Sequence, residues 1–200
     1  MKQLLIATHN QGKVLEFQQM FDGMDLEIKS AADFDLAEPE ETEKTFEGNA
    51  LLKARAACEA TGLPALADDS GICVDALDGA PGIYSARWGE TPDGRDFNVA
   101  MERVHKELGG IDGTQTAYFI AVLALVYPNG QKELFEGRME GHLTWPMRGD
   151  CGHGYDPIFV PNGYDVTCAE MSAEDKNAIS HRAVAVEKFK KYLEKEASQT

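Results

Sequence analysis

Apolar and polar residues alternate along this chain with periods that change several times, and each change predicts an element. Residues 2–8 form a short apolar run and predict a strand; the polar stretch "HNQGK" predicts a loop. Val14, Phe17 and Phe21 then recur at helical spacing, predicting an amphipathic helix over 14–21. "DLEIKS" at 25–30 predicts a second strand. After it comes an acidic stretch in which Pro39 ends regular structure and Thr42 is placed to cap a helix reaching about residue 61. Pro64 restarts the chain as a strand.

The segment "PALADD" at 64–69 leads into Ser70 and Gly71, with "ICVDAL" at 72–77 behind them, so a strand ending at two aspartates and a tight turn is expected there. "DGAPG" predicts a surface loop, and residues 96–108 predict a helix. "TAYFIAVLALVYP" at 116–128 is the most apolar strand candidate. Asn129 and Gly130 follow it as a hairpin signal, leading into "QKELFEGRMEGHL" at 131–143, so these two runs are expected as central antiparallel strands. Residues 172–196 open with Ser172 and Asp175 in a capping-box-like pattern, and Ile179, Ala183, Val186, Phe189 and Leu193 keep helical spacing, predicting one terminal helix. Strands and helices mixed in this order, with no repeat and no linker, predict a single domain over 1–200, an α/β body around one mixed sheet.

Composition adds constraints. The chain has 200 residues and a formal net charge of -15, so as a whole it repels anions, and no nucleic-acid partner is expected. A phosphate-bearing ligand must then be held by local cationic groups or a bridging metal ion. No run approaches a membrane span and the N-terminus lacks the features of a signal peptide, so a soluble, cytoplasmic protein with no membrane partner is expected. Cys58, Cys73, Cys151 and Cys168 show no CxxC pair and no zinc-like spacing, which fits reduced thiols.

Six stretches carry candidate chemistry. Asp68 and Asp69 either end a strand in water or serve two roles, since adjacent strand residues face opposite ways and one carboxylate can be held while the other works. Glu40 and Glu41 in "PEET" are either a solvated acidic face or, with Asp69, the hard oxygen ligands that suit magnesium, which keeps water and substrate phosphate as its other ligands. The loop Thr8, His9, Asn10, Gln11, Gly12 and Lys13 is a plain connector or a phosphate cradle at a helix start; it is not a P-loop. Asn49 and Lys53 share a helical face among apolar neighbours, which directs the lysine toward a polar cleft. In "HGYDP", His153, Gly154, Tyr155 and Asp156 offer flat rings for stacking and an acceptor for a ring N–H or sugar hydroxyl. Lys176, His181 and Arg182 in "KNAISHR" form a basic helical face or donate to phosphate and to a ring carbonyl.

In order along the chain, "THNQGK", "TFEGNALLKA", "ADDSG", "GAPGIYSAR", "GHGYDPIF" and "EDKNAISHR" resemble the inosine triphosphate pyrophosphatase family, the XTP/dITP diphosphatases. The match runs over essentially the whole chain. The resemblance implies an elongated mixed β-sheet with flanking helices, two lobes around a central cleft, and a homodimer. It implies that Thr8 to Lys13 hold the triphosphate with Lys53, that Asp69 accepts the proton and binds Mg2+ with Glu40 or its neighbour Glu41, and that Ser70 touches substrate. His153 to Asp156 and Lys176 would surround nucleoside and phosphate, and His181 with Arg182 would read the purine. One departure stands out: the family commonly has phenylalanine where this chain has His153, a smaller face that can carry charge.

The expected reaction is Mg2+-dependent hydrolysis of non-standard purine nucleoside triphosphates (ITP, dITP and XTP) at the α-phosphorus, giving nucleoside monophosphate and pyrophosphate. Two rivals are a Maf-type nucleotide pyrophosphatase, whose N-terminal loop is usually serine- and arginine-rich, and a non-catalytic nucleotide sensor. A third is an interaction protein whose carboxylates are only solvated.

Overall fold

In the computed structural model, which describes residues 2–198, the apolar periods resolve into a six-strand sheet, a small two-strand sheet and five α-helices among those residues. The elements are β1 (Gln3–Ile6), α1 (Gln11–Met20), β2 (Glu27–Ser30), α2 (Phe46–Thr61), β3 (Ala65–Val74), β4 (Glu90–Thr91), β5 (Gly94–Arg95) and α3 (Phe97–Glu107). They continue as β6 (Thr116–Val126), β7 (Lys132–Leu143), β8 (Phe159–Pro161), α4 (Ala173–Ile179) and α5 (His181–Ala197). The larger sheet has the order β2-β1-β3-β6-β7-β8. β1 runs parallel to β2 and β3, and β7 antiparallel to β8, so the sheet is mixed and the fold belongs to the expected α/β class.

Burial follows strand position. β6 lies between β3 and β7, and its residues are buried without a break from Phe119 to Val126, as expected of a strand covered on both faces. Along β7 only alternate positions, Phe135, Gly137, Met139, Gly141 and Leu143, are buried, the signature of one covered face. Gly141 has no alternative: a Cβ there would meet the carbonyl of Val160 and lie 2.6 Å from the Phe159 ring on β8. The predicted turn at Asn129 and Gly130 joins β6 to β7, with the Gly130 amide donating to the Tyr127 carbonyl at 2.9 Å and φ at 86°.

The chain divides into two compact units. Among the described residues the first comprises 2–69, 121–136 and 185–198, and Leu4, Ile6, Phe17, Phe21, Leu66, Leu123, Leu125, Phe135 and Phe189 form its core. The second comprises residues 70–120 and 137–184, with Ile72, Val74, Met101, Val104, Phe119, Leu143, Tyr155 and Phe159 inside.

Three expectations are corrected. β3 runs unbroken from Ala65 to Val74, so Asp68 and Asp69 lie inside a strand and Ser70 and Gly71 make no turn. Helix α2 begins at Phe46 rather than after Thr42: Thr45 accepts the Gly48 amide at 3.0 Å, while the Glu43 amide is taken by the Asn49 side chain at 3.1 Å, which keeps residues before Thr45 extended. The terminal helix is two helices. Ser180 leaves helical geometry at ψ 151° and its hydroxyl accepts the Ala183 amide at 3.1 Å, capping α5.

Candidate active site

The first unit gathers two lysines and three carboxylates. Asn10 caps α1 by accepting the Lys13 amide at 3.2 Å, and its own amide donates to the Thr8 hydroxyl at 3.2 Å. Gln11 and Gly12 are exposed on the first helical turn, where amides lack intrahelical acceptors and the helix end is electropositive. His9 contacts the Leu36 carbonyl through Nε2 at 2.6 Å, tying this loop to the extended segment before α2. The Lys13 ammonium pairs with Asp68, whose side chain is only 1% exposed.

Lys53 and Asp69 form the second pair. The small residues Ala50, Ala54, Ala57 and Cys58 bury one side of α2, and Asn49 and Lys53 are buried with them. Lys53 Nζ donates to Glu41 Oε1 at 2.8 Å and to Asp69 Oδ1 at 3.1 Å. Asn49 donates to Asp69 Oδ2 at 3.4 Å, a long bond, while its carbonyl oxygen holds the Glu43 amide. Burial pushes the Asp69 carboxyl up, Lys53 pulls it down, and Glu41 and Asp68 push it up again, leaving it at about 6. Burial also pulls the Lys53 ammonium down, but Asp69, Asp68 and Glu41 together outweigh it and hold it above the usual lysine value. The shifts do not mirror each other because one lysine serves two carboxylates while Asp69 is crowded by two acids.

Of the neighbouring glutamates, Glu40 is exposed and Glu41 is the one that shares Lys53 with Asp69. Among the described residues no group of three or more potential metal-ligating side chains comes together. Two carboxylates on one ammonium nevertheless fit a hard cation such as Mg2+, which commonly takes one or two protein carboxylates and completes its shell with water and phosphate. Beside this segment lies a cavity of about 230 Å³ walled largely by alanines, among them Ala31, Ala37, Ala56 and Ala57, with His9, Glu38 and Lys53 also on its lining.

The second unit holds the remaining expected residues. Ser70 accepts from Arg182 Nη2 at 3.3 Å. The His181 ring stacks on Phe119 with centroids 5.2 Å apart and planes at 17°. His153 is exposed, its ring edge-on to Phe97 at 4.8 Å. Gly154 takes a left-handed φ of 71° in the same turn. Tyr155, expected as a stacking face, is instead buried among core residues, with its hydroxyl donating to the Ser85 carbonyl at 2.7 Å; burial raises its pKa. Asp156 is buried too, its carboxylate accepting from the His153 amide and from Lys176. Two polar residues outside the expected set emerge. Asn49 was visible through its spacing with Lys53. Ser85, in "GAPGIYSAR", accepts the Ile72 amide at 2.9 Å and donates to the Gly82 carbonyl at 2.6 Å.

These observations define a class: a mixed α/β protein whose buried polar groups are concentrated in carboxylate–lysine pairs. The particular family follows from comparison. The Ham1 family matches residues 4–192, and the chain belongs to it. It is 57% identical over 190 residues to a dITP/XTP pyrophosphatase of Ruegeria pomeroyi, covering 94% of this chain and 93% of that one. Among solved structures, a HAM1 protein from Coxiella burnetii superposes with a TM-score of 0.90 at 35% identity, covering 98% of this chain and 100% of that one. The Ham1 protein of Staphylococcus aureus gives a TM-score of 0.88 at 36% identity with the same coverage. The chain is a hydrolase, a nucleoside triphosphate pyrophosphatase.

Proposed function

We propose that this protein hydrolyses ITP, dITP and XTP at the α-phosphorus, releasing nucleoside monophosphate and pyrophosphate, with Mg2+ as cofactor. The observation that carries this reading is the Lys53 ammonium shared by Glu41 and the buried Asp69, beside the Lys13–Asp68 pair. The names of the relatives supply the substrate class. Asp69 and Glu41 would hold Mg2+, which when bound supplies positive charge to the phosphate oxygens. Asp69 accepts the proton of the attacking water as general base. Lys13 and Lys53 donate to phosphate oxygens, the Thr8 to Lys13 loop offers amides, and charge on the departing pyrophosphate is stabilised by groups already in place.

On the nucleoside side, Arg182 donates to the 6-carbonyl of hypoxanthine or xanthine. Adenine presents an amino group there, and a donor shut off from water by the bound base and left unpaired costs roughly 1–3 kcal/mol. Ser70, His153 and His181 complete the contacts, and Lys176 meets the nucleotide. Ribo and deoxy substrates are both accepted. A cytoplasmic homodimer is part of the proposal; the four cysteines, all present as free thiols, are in keeping with a reducing compartment.

The test incubates purified protein with ITP, XTP, GTP, ATP and dTTP, with and without Mg2+, and separates pyrophosphate from orthophosphate. Pyrophosphate from ITP and XTP, lost on chelation, is the expected result. Orthophosphate as first product, or turnover undiminished by chelator, sinks the proposal, and light scattering checks the dimer.

A further inference from the structure

We propose that Asp156 is a positioning residue, one that fixes Lys176 and the turn bearing His153 for the nucleotide while making no contact with substrate itself. This deepens the functional reading above and rests on it. The carboxylate is 2% exposed, too deep to offer a lone pair to a base or sugar arriving from solvent. Its Oδ2 is already engaged twice, by the His153 backbone N–H at 2.6 Å and by the Lys176 ammonium.

The chain is wrapped around this group. Asp156 opens the short 3-10 turn Asp156–Ile158, with Pro157 stiffening its start. Gly152 stands at a φ of 82°, and a Cβ there would overlap the Asp156 carboxylate, so the backbone itself closes over the acid. The residue just before Asp156 is anchored as well, since the Tyr155 hydroxyl donates to the Ser85 carbonyl at 2.7 Å. Held at both points, the turn presents the His153 ring to solvent, edge-on to Phe97.

Lys176 gains most from the arrangement. It sits on α4, a helix of seven residues capped by the Ser172 hydroxyl, and its side chain is 19% exposed. A lysine on so short a helix would otherwise sample many rotamers, and the entropy lost on meeting a phosphate oxygen would weaken binding. Pairing with a buried carboxylate restricts that search beforehand, and leaves further ammonium hydrogens for the ligand.

The experiment is a double-mutant cycle on the full-length protein with ITP, dITP and XTP, using Asp156→Asn, Lys176→Met and the pair. Asparagine keeps an acceptor for the His153 amide and removes the charge that orients Lys176. Each single change is expected to raise KM by about tenfold to a hundredfold, the loss of a charge-assisted hydrogen bond, with kcat moving less than KM. The double variant should be no worse than the poorer single, and the factor should be the same for all three nucleotides. Independent losses that multiply, a loss confined to one base, or a KM that stays level or falls each overturn the inference. Thermal melting confirms the fold. If Asp156→Asn does not melt cooperatively, Asp156→Glu, with its longer stem, should raise KM likewise, and an unchanged KM there is equally fatal. A wild-type protein that hydrolyses none of the three overturns the functional reading and this inference together, whereas hydrolysis with multiplying losses overturns this inference alone.

Discussion

Asp69 keeps its proton to about pH 6, against an ordinary aspartate value of 3.8, because burial and two neighbouring acids outweigh Lys53. Between those values the folded chain binds a proton that the unfolded chain has released, so this residue's contribution to stability falls as pH rises through the window. At pH 7 the ionised carboxylate is a net cost to stability. Asp69→Asn is therefore expected to raise the apo-protein's stability at pH 7 by on the order of 1–3 kcal/mol, with the gain fading below about pH 4. Turnover should fall at least a hundredfold, as for removal of a general base. Chemical denaturation at the two pH values, paired with single-turnover assays, checks both halves; an asparagine variant less stable at pH 7 would mean that attraction to Lys53 dominates. Lys53→Met should act oppositely. It leaves Glu41 and Asp69 facing each other without their shared cation, costing about 3 kcal/mol at pH 7 and less at lower pH, where Asp69 takes up its proton.

The same physics at the scale of elements explains what local patterns reveal and hide. Helix α3, strands β6 and β7 and the turn between them lie where apolar spacing and turn residues place them, because their burial is decided within each element. The continuity of β3 is different: two buried aspartates need cations from Lys13, 55 positions away, and Lys53, 16 positions away, which no local window reports. The break at Ser180 is hidden because apolar spacing continues through it, although a serine whose hydroxyl accepts the amide three residues on is a recognisable cap. Glu41 rather than Glu40 meets Lys53 because adjacent residues of an extended segment face opposite ways, and spacing alone does not say which face turns inward. Asn49 is the clasp of that segment. Asn49→Ala should cost about 1–3 kcal/mol by orphaning the Glu43 amide, and amide exchange over residues 38–45 should accelerate; unchanged exchange there would show that the segment is held by Lys53 and His9 alone.

Across the whole molecule the net charge of -15 works against the compact state through self-repulsion, while the buried acid–lysine pairs answer to local charge. These two contributions separate under salt. Raising NaCl from about 10 to about 150 mM shortens the screening length from about 30 to about 8 Å, so long-range repulsion weakens and Tm should rise by a few degrees. Contacts of 2.8 and 3.1 Å around Lys53 are far inside either length and should respond little. Magnesium should do more than screen. At matched ionic strength, MgCl2 is expected to raise Tm beyond the NaCl value, because a ligand that binds only the folded chain adds stability in proportion to the logarithm of its concentration above Kd. The excess should disappear in Glu41→Gln and in Asp69→Asn and persist in Glu40→Gln, since only the first two remove a carboxylate from the shared ammonium. Equal melting in both salts would leave the acids without a cation to hold, and an excess abolished by Glu40→Gln would move the binding site to the exposed neighbour.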